Sequence, residues 1–102
     1  MMNDRILSLI GLAAKAGKVV SGEFSTEKSV KSGKAFLVVV ADDASANTKK
    51  MFTNMCNFYK VPMCIYGTKE TLGHRLGKEQ RASLALQDAG FRDAVLKHVN
   101  QD

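Results

Sequence analysis

Two adjacent carboxylates, Asp42 and Asp43, follow the apolar run AFLVVVA and precede Ser45 by two to three positions. Paired carboxylates at the end of a strand can hold Mg²⁺ or act as acid and base, but such sites normally recruit further carboxylates or a phosphate-binding glycine loop. The other acids form no motif with this pair. Acids and serine before a helix also suit a turn, since the helix dipole favours negative charge there. We therefore predict a turn, with no catalytic and no metal-binding residues.

The remaining reactive side chains also lack the spacing of a catalytic or metal site. His74 and His98 fall in different predicted helices, and Cys56 and Cys64 form no CxxC pair, so we predict buried free thiols. The segments GKVVSG and GTKETLG do not have the spacing of phosphate-binding loops. The sequence therefore predicts a protein that is not an enzyme and has no cofactor.

The charge balance suggests a polyanionic partner. The chain has 102 residues, of which 15 are Lys or Arg and 10 are Asp or Glu, giving a net charge of +5. Concentrated positive charge releases counterions when it binds phosphates, although a basic protein can also simply be soluble. The length fits one domain over residues 1–102, and no apolar run approaches the roughly 20 residues that span a bilayer. We expect a cytoplasmic protein with no membrane contact.

Two segments combine glycines with basic residues, and they are SGEFSTEKSVKSGK and TLGHRLGKEQR. If the fold is an α/β sandwich, both lead away from the same end of their neighbouring elements and could form one face. The alternative is two unrelated, solvated charged turns.

Hydrophobic patterning predicts nine alternating elements that would position these segments. The non-alternating run AFLVVVA is typical of a central strand covered on both faces, and the segment after Ser45 has the clearest amphipathic pattern. Alternation of helices and strands predicts an α/β fold, a three-layer α/β/α sandwich with a four-stranded mixed sheet. The predicted elements are a helix capped by Asn3 or Asp4 and ended by Gly17, the strand KVV, a helix from Glu23 to Ser32, AFLVVVA, a helix carrying Met51, Phe52, Met55, Cys56 and Tyr59 on one face, a buried strand VPMCIYG, a short helix from Thr68 to Gly77, the strand ASLALQ, and a helix capped by Asp88.

Five segments together resemble one family, and the resemblance extends over residues 4 to 97. The segments are Gly22-x5-Lys28, Lys31-Ser32-Gly33, LVVVADDAS, YKVPMCIYGTKETLG and GKEQR. They resemble the kink-turn RNA-binding superfamily of ribosomal proteins, the seven-Ae and thirty-e type of the large subunit, and above all its bacterial YlxQ-like branch.

The resemblance implies a single, non-enzymatic RNA-binding domain of ribosomal-protein type. In this family, RNA is held by the start of the second helix, the turn before the third helix and the glycine loop before the last strand. The partner would be a structured RNA, a kink-turn or bent internal loop, with ribosomal RNA among the candidates, and the protein would be a monomer. The implied RNA-binding residues are Gly22, Glu23, Phe24, Ser25, Lys28, Lys31, Asp43, Ser45, Gly77, Lys78, Glu79, Gln80 and Arg81.

The chain departs from the family at the helix-start motif, Gly-x-Asn-Glu-x-x-Lys. Gly22 and Lys28 match it, but Phe24 and Ser25 replace the Asn and Glu that read sheared G·A pairs. Phenylalanine cannot make paired hydrogen bonds to base edges, so Phe24 either stacks on a base or packs in the core, and Glu23 could supply an acceptor one residue earlier.

Two other functions fit the same residues. One is a protein-interaction adaptor in a translation-related assembly, in which the basic face is incidental. The other is a substrate-RNA-binding module that acts with an RNA-modifying enzyme.

Overall fold

The computed structural model describes residues 4–100, in which five helices alternate with four strands. The strands are short, and β2 and β4 are fully buried. The elements are α1 Arg5–Lys15, β1 Val19–Ser21, α2 Glu23–Lys31, β2 Leu37–Val40, α3 Ala46–Tyr59, β3 Met63–Ile65, α4 Lys69–Arg75, β4 Ser83–Leu86 and α5 Ala89–Val99.

The four strands form one mixed sheet in the order β1-β4-β2-β3. Strand β4 runs antiparallel to both β1 and β2, with Val39 of β2 opposite Leu84, whereas β2 and β3 are parallel, with Val39 opposite Cys64. Helices cover both faces: α2 and α3 contact each other on one, and α1 packs against α4 and α5 on the other. The predicted fold class, an α/β/α sandwich with a four-stranded mixed sheet, is confirmed.

Local capping explains where the helices begin and end. Asp4 caps α1, its Oδ1 accepting a hydrogen bond of 2.9 Å from the Leu7 N–H, while Asn3, the alternative cap, lies outside the described residues. Gly17 and Gly33 follow α1 and α2 in the left-handed conformation that ends helices, with φ of 73° and 77°. Helix α3 ends at Tyr59 and is followed by Lys60, which adopts the same conformation at a φ of 60° without being a glycine.

The structure corrects two predictions about burial. VPMCIYG was predicted to be a buried strand, but β3 is an edge strand that pairs with β2 alone, so Ile65 is 40% exposed and Cys64 is half-buried. Tyr59 was predicted on the inner face of α3, but it lies in the last turn and is 41% exposed. Within residues 4–100, no helix is long and apolar enough to cross a bilayer.

Candidate nucleic-acid interface

One end of the sheet gathers three helix starts and the loop before β4. Because β4 runs opposite to β1 and β2, and β3 runs with β2, the carboxyl ends of the first three strands meet the amino end of β4. We call this region the loop end and define it as residues 22, 41–45, 66–68 and 76–82, with the helix starts that follow. The two glycine-containing basic segments therefore begin or end on the same side of the molecule.

Backbone hydrogen bonds join these segments to one another. The Gly22 N–H donates to the Ser83 carbonyl over 3.0 Å, which ties the start of α2 to β4. The Asp42 N–H donates to the Gly67 carbonyl over 2.8 Å, which ties the turn after β2 to the turn after β3. The loop end is thus one connected surface and not a set of independent turns.

The two adjacent acids, Asp42 and Asp43, have different environments. Asp43 Oδ1 accepts a hydrogen bond of 2.8 Å from the N–H of Lys69, the first residue of α4, across 26 positions of sequence. Asp42 is exposed, and its side chain makes no hydrogen bond within the described residues. Ser45 caps α3, its Oγ accepting from the Thr48 N–H over 3.1 Å. Asp43 and Ser45 therefore position two helix starts.

Arg81 connects three segments of the loop end. Its N–H donates to the Lys69 carbonyl over 3.0 Å, and its Nε donates to Ser21 Oγ over 3.1 Å. A guanidinium nitrogen also donates to the Gln80 carbonyl over 3.0 Å. The half-buried side chain therefore uses part of its hydrogen-bonding capacity within the protein. The sequence suggested only an RNA contact here and missed this structural role.

Gly73, which the sequence analysis overlooked, brings the 77–81 loop down onto α4. A Cβ atom added to Gly73 would lie 2.0 Å from the Glu79 carbonyl oxygen, far inside van der Waals contact. The only signal in the sequence is a glycine inside a helical pattern, where glycine is less favourable than alanine and can mark a packing requirement. The loop itself presents exposed Lys78, Glu79 and Gln80 to solvent, after Gly77 in the left-handed conformation.

The first turns of α2 supply the rest of the candidate surface. Glu23 and Phe24 are exposed, Ser25 is half-buried, and Lys28 is exposed one turn further along. Phe24 is 78% exposed, so the interpretation that it packs in the core is wrong. Gly22 precedes the helix at a φ of 91°, a conformation that favours glycine.

Lys28 and Lys31 differ in both place and pairing. Lys31 Nζ lies 2.6 Å from Glu27 Oε2, and the hydrogen bond to Glu27 raises the pKa of the lysine. Lys31 lies at the far end of α2, about 12 Å along the helix axis from Glu23. Among the described residues Lys28 has no ion-pair partner. Of these two predicted contacts, Lys28 is therefore better placed to meet a ligand bound at the loop end.

The thiols and acids do not assemble into a reactive site. Burial raises the pKa of both Cys56 and Cys64 to about 11, so both are protonated at neutral pH. No cluster of three or more His, Cys, Asp or Glu residues within residues 4–100 is arranged to hold a metal ion.

A model of the ribosomal protein L7Ae/L30e/S12e/Gadd45 family matches residues 4–96. The chain belongs to this family. It is 43% identical over 88 residues to the RNA-binding protein YlxQ of Bacillus subtilis (strain 168), covering 86% of this chain and 88% of that protein. It is 32% identical over 99 residues to the large ribosomal subunit protein eL8 of Picrophilus torridus, covering 96% of this chain and 78% of that protein. Within the family, the chain lies in the bacterial YlxQ-like branch.

Two solved structures have the same fold. A Bacillus halodurans C protein described as having unknown function superposes with a TM-score of 0.92 at 33% identity, covering 97% of this chain and 100% of that chain. The Giardia lamblia 15.5kD RNA binding protein superposes with a TM-score of 0.80 at 22% identity, covering 99% of this chain and 90% of that chain. The second likeness concerns the fold alone.

Proposed function

We propose that this protein is a non-enzymatic RNA-binding protein of ribosomal-protein type that holds a structured RNA at its loop end. The proposal rests on hydrogen bonds that connect three segments at one end of the sheet: the start of α2, the turn before α3 and the loop before β4. These are the segments that the family resemblance implicates. The RNA-binding name of the YlxQ relative supports the same function. A net charge of +5 fits a polyanionic ligand.

The surface divides into groups suited to phosphates and groups suited to bases. Lys28 and Lys78 are exposed cations at two sides of the loop end, and they contact phosphates. The acceptors and amides of Glu23, Glu79 and Gln80 can bond base edges, which double-stranded RNA hides and bent or unpaired RNA exposes. Phosphate contacts then supply most of the affinity, and base contacts supply the selectivity.

A rigid surface of this kind suits an RNA that is itself folded. Because Asp43, Arg81 and the backbone bonds fix the loop end before binding, little ordering cost is added on association. The RNA that we propose is a kink-turn or bent internal loop, with ribosomal RNA as one source. The protein would work as a monomer in the cytoplasm.

The salt dependence of binding tests this function. We expect Lys28→Ala to weaken binding of a kink-turn RNA and of a straight duplex by similar factors, and to lower the slope of log K against log salt by about 1. Lys18→Ala is the matched control, since Lys18 is exposed before β1, at the other end of the sheet. Wild-type binding that is insensitive to salt, or equal losses in both variants, would refute binding at the loop end.

A further inference from the structure

We propose that Phe24 is a stacking platform for one unpaired base of the bound RNA, with Lys28 on an adjoining phosphate. The inference rests on the proposed function and names the feature of the RNA that the site recognises. It assigns a role to an aromatic ring that neither the core nor the hydrogen-bond network uses.

The exposure of Phe24 differs from that of its apolar neighbour in α2. Val30 is 1% exposed and packs in the core, whereas Phe24 is 78% exposed on the first turn. A single exposed apolar side chain is common and by itself indicates nothing. What distinguishes Phe24 is its position beside the loop end and the shape of the surface around it.

Open space borders the ring in two adjoining hollows. The first has a volume of about 380 Å³ and is lined by Phe24, Glu27, Lys28, Lys31 and Ser32. The second, of about 320 Å³, includes Phe24, Ser25, Lys28 and Lys34 among its lining residues. Both volumes lie at the lower end of the roughly 300–1,000 Å³ of small-molecule pockets, so a flat aromatic ligand can approach Phe24 closely.

The charges around the ring select the ligand. Glu27 is already paired with Lys31, which leaves the charge of Lys28 available in both hollows, and Lys34 adds a second cation to one of them. An aromatic face beside unpaired cations matches a nucleotide, whose base stacks while its phosphate meets the cation. RNA supplies a base and a phosphate in every residue, whereas an apolar peptide segment supplies no anion.

Stacking differs from base-edge reading in what it demands of the RNA. Every base has a π-face, so a stacking platform tolerates sequence and requires only that a base be unpaired. Structured RNA with an unstacked base at a bend therefore binds better than a continuous duplex of the same length.

The test replaces the ring by an apolar side chain without a π-face. We expect Phe24→Leu to weaken binding of a kink-turn RNA by about 5- to 100-fold, and Phe24→Trp to preserve it within about 3-fold, because stacking needs an aromatic ring and not its exact shape. Phe58→Leu is the matched control, since Phe58 is 77% exposed in the last turn of α3, away from the loop end, and this variant should bind as wild type does. Melting curves check that each variant is folded.

A fluorescent base gives a second readout. With 2-aminopurine placed in turn at each unpaired position of the RNA, one position should be quenched by wild-type protein and by Phe24→Trp, but not by Phe24→Leu. If Phe24→Leu binds as tightly as wild type while Lys28→Ala is weakened, the stacking proposal is wrong and the RNA function stands. If Phe24→Trp loses as much affinity as Phe24→Leu, stacking is also refuted. If no variant loses RNA affinity, RNA does not bind at the loop end, and if the wild type binds no structured RNA, the proposed function itself is refuted.

Discussion

The two ends of the sheet are closed by different kinds of contact. At the loop end, side chains make hydrogen bonds to residues far away in sequence, such as Asp43 to Lys69 and Arg81 to Ser21. At the opposite end, which we define as residues 16–18, 32–36 and 60–62, the hydrogen bonds between distant residues are between backbone groups, such as the Phe36 N–H with the Leu86 carbonyl and the Gln87 N–H with the Lys18 carbonyl. Three helices there also close on themselves, since backbone N–H groups bond carbonyls five residues earlier in the pairs Lys18 with Ala13, Lys34 with Ser29, and Val61 with Cys56.

This difference predicts how each end responds to change. A substitution at the opposite end should alter one helix terminus and leave the rest of the surface in place. A substitution at the loop end should move several segments together, because side chains there hold distant segments to one another. The molecule therefore carries its candidate binding surface where side chains join distant segments.

Gly73→Ala should give the largest effect. The added methyl group would meet the Glu79 carbonyl at 2.0 Å, so the 77–81 loop must lift from α4. We expect a loss of about 1 to 3 kcal/mol in the free energy of unfolding, as for overpacked sites, together with weaker RNA binding. Calorimetry and binding titrations measure the two effects.

Gly11→Ala is the control for this change, since Gly11 also lies inside a helix. Its added Cβ would lie 3.7 Å from the nearest atom, the Arg75 carbonyl oxygen, which is ordinary contact. Alanine should therefore stabilise α1 by about 0.5 to 1 kcal/mol. Equal effects of the two substitutions would mean that the 77–81 loop does not rest on Gly73.

Asp43→Ala should have a smaller effect on stability. Asp42→Ala, at the neighbouring position, is its control. The change removes the acceptor for the Lys69 N–H and should cost about 1 kcal/mol of stability, as does the loss of a helix cap. Asp42→Ala should cost less than about 0.5 kcal/mol, as surface substitutions usually do. Tight Mg²⁺ binding by the wild type, lost in both variants on calorimetry, would contradict a purely structural role.

Lys60→Gly should produce the smallest effect, confined to the opposite end. Lys60 holds a φ of 60°, which costs a non-glycine residue energy, so glycine should raise the free energy of unfolding by up to about 1 kcal/mol. RNA affinity should stay unchanged apart from a small charge effect that Lys60→Ala shares. If chemical denaturation finds Lys60→Gly less stable than Lys60→Ala, the left-handed backbone conformation does not penalise a non-glycine residue at this position.

The sequence predicted the features that local rules control. The apolar runs containing Val39 and Leu84 are buried strands, Asp4 and Asp88 cap helices, and Gly17 follows α1 in the left-handed conformation. Each of these depends on residues within a few positions of itself, and so the pattern of the chain alone indicates them.

The features that it missed depend on partners distant in sequence. The edge position of β3 follows from sheet order, which the composition of VPMCIYG does not encode, so Ile65 is more exposed than the pattern suggested. The close approach of Gly73 to Glu79 and the bond from Arg81 to Ser21 exist only after the fold has formed. The loop end was therefore predictable in its membership and not in its internal connections.

Amide chemical-shift mapping tests the central claim, that RNA binds at the loop end, most directly. Titration of the labelled protein with a kink-turn RNA should shift or broaden the amides of residues 22–28, 43–45 and 77–81, because these surround the proposed contact surface. Amides of residues 16–18 and 60–62 should stay close to their free positions. Perturbations centred on the opposite end, with the loop end unchanged at saturating RNA, would contradict the account.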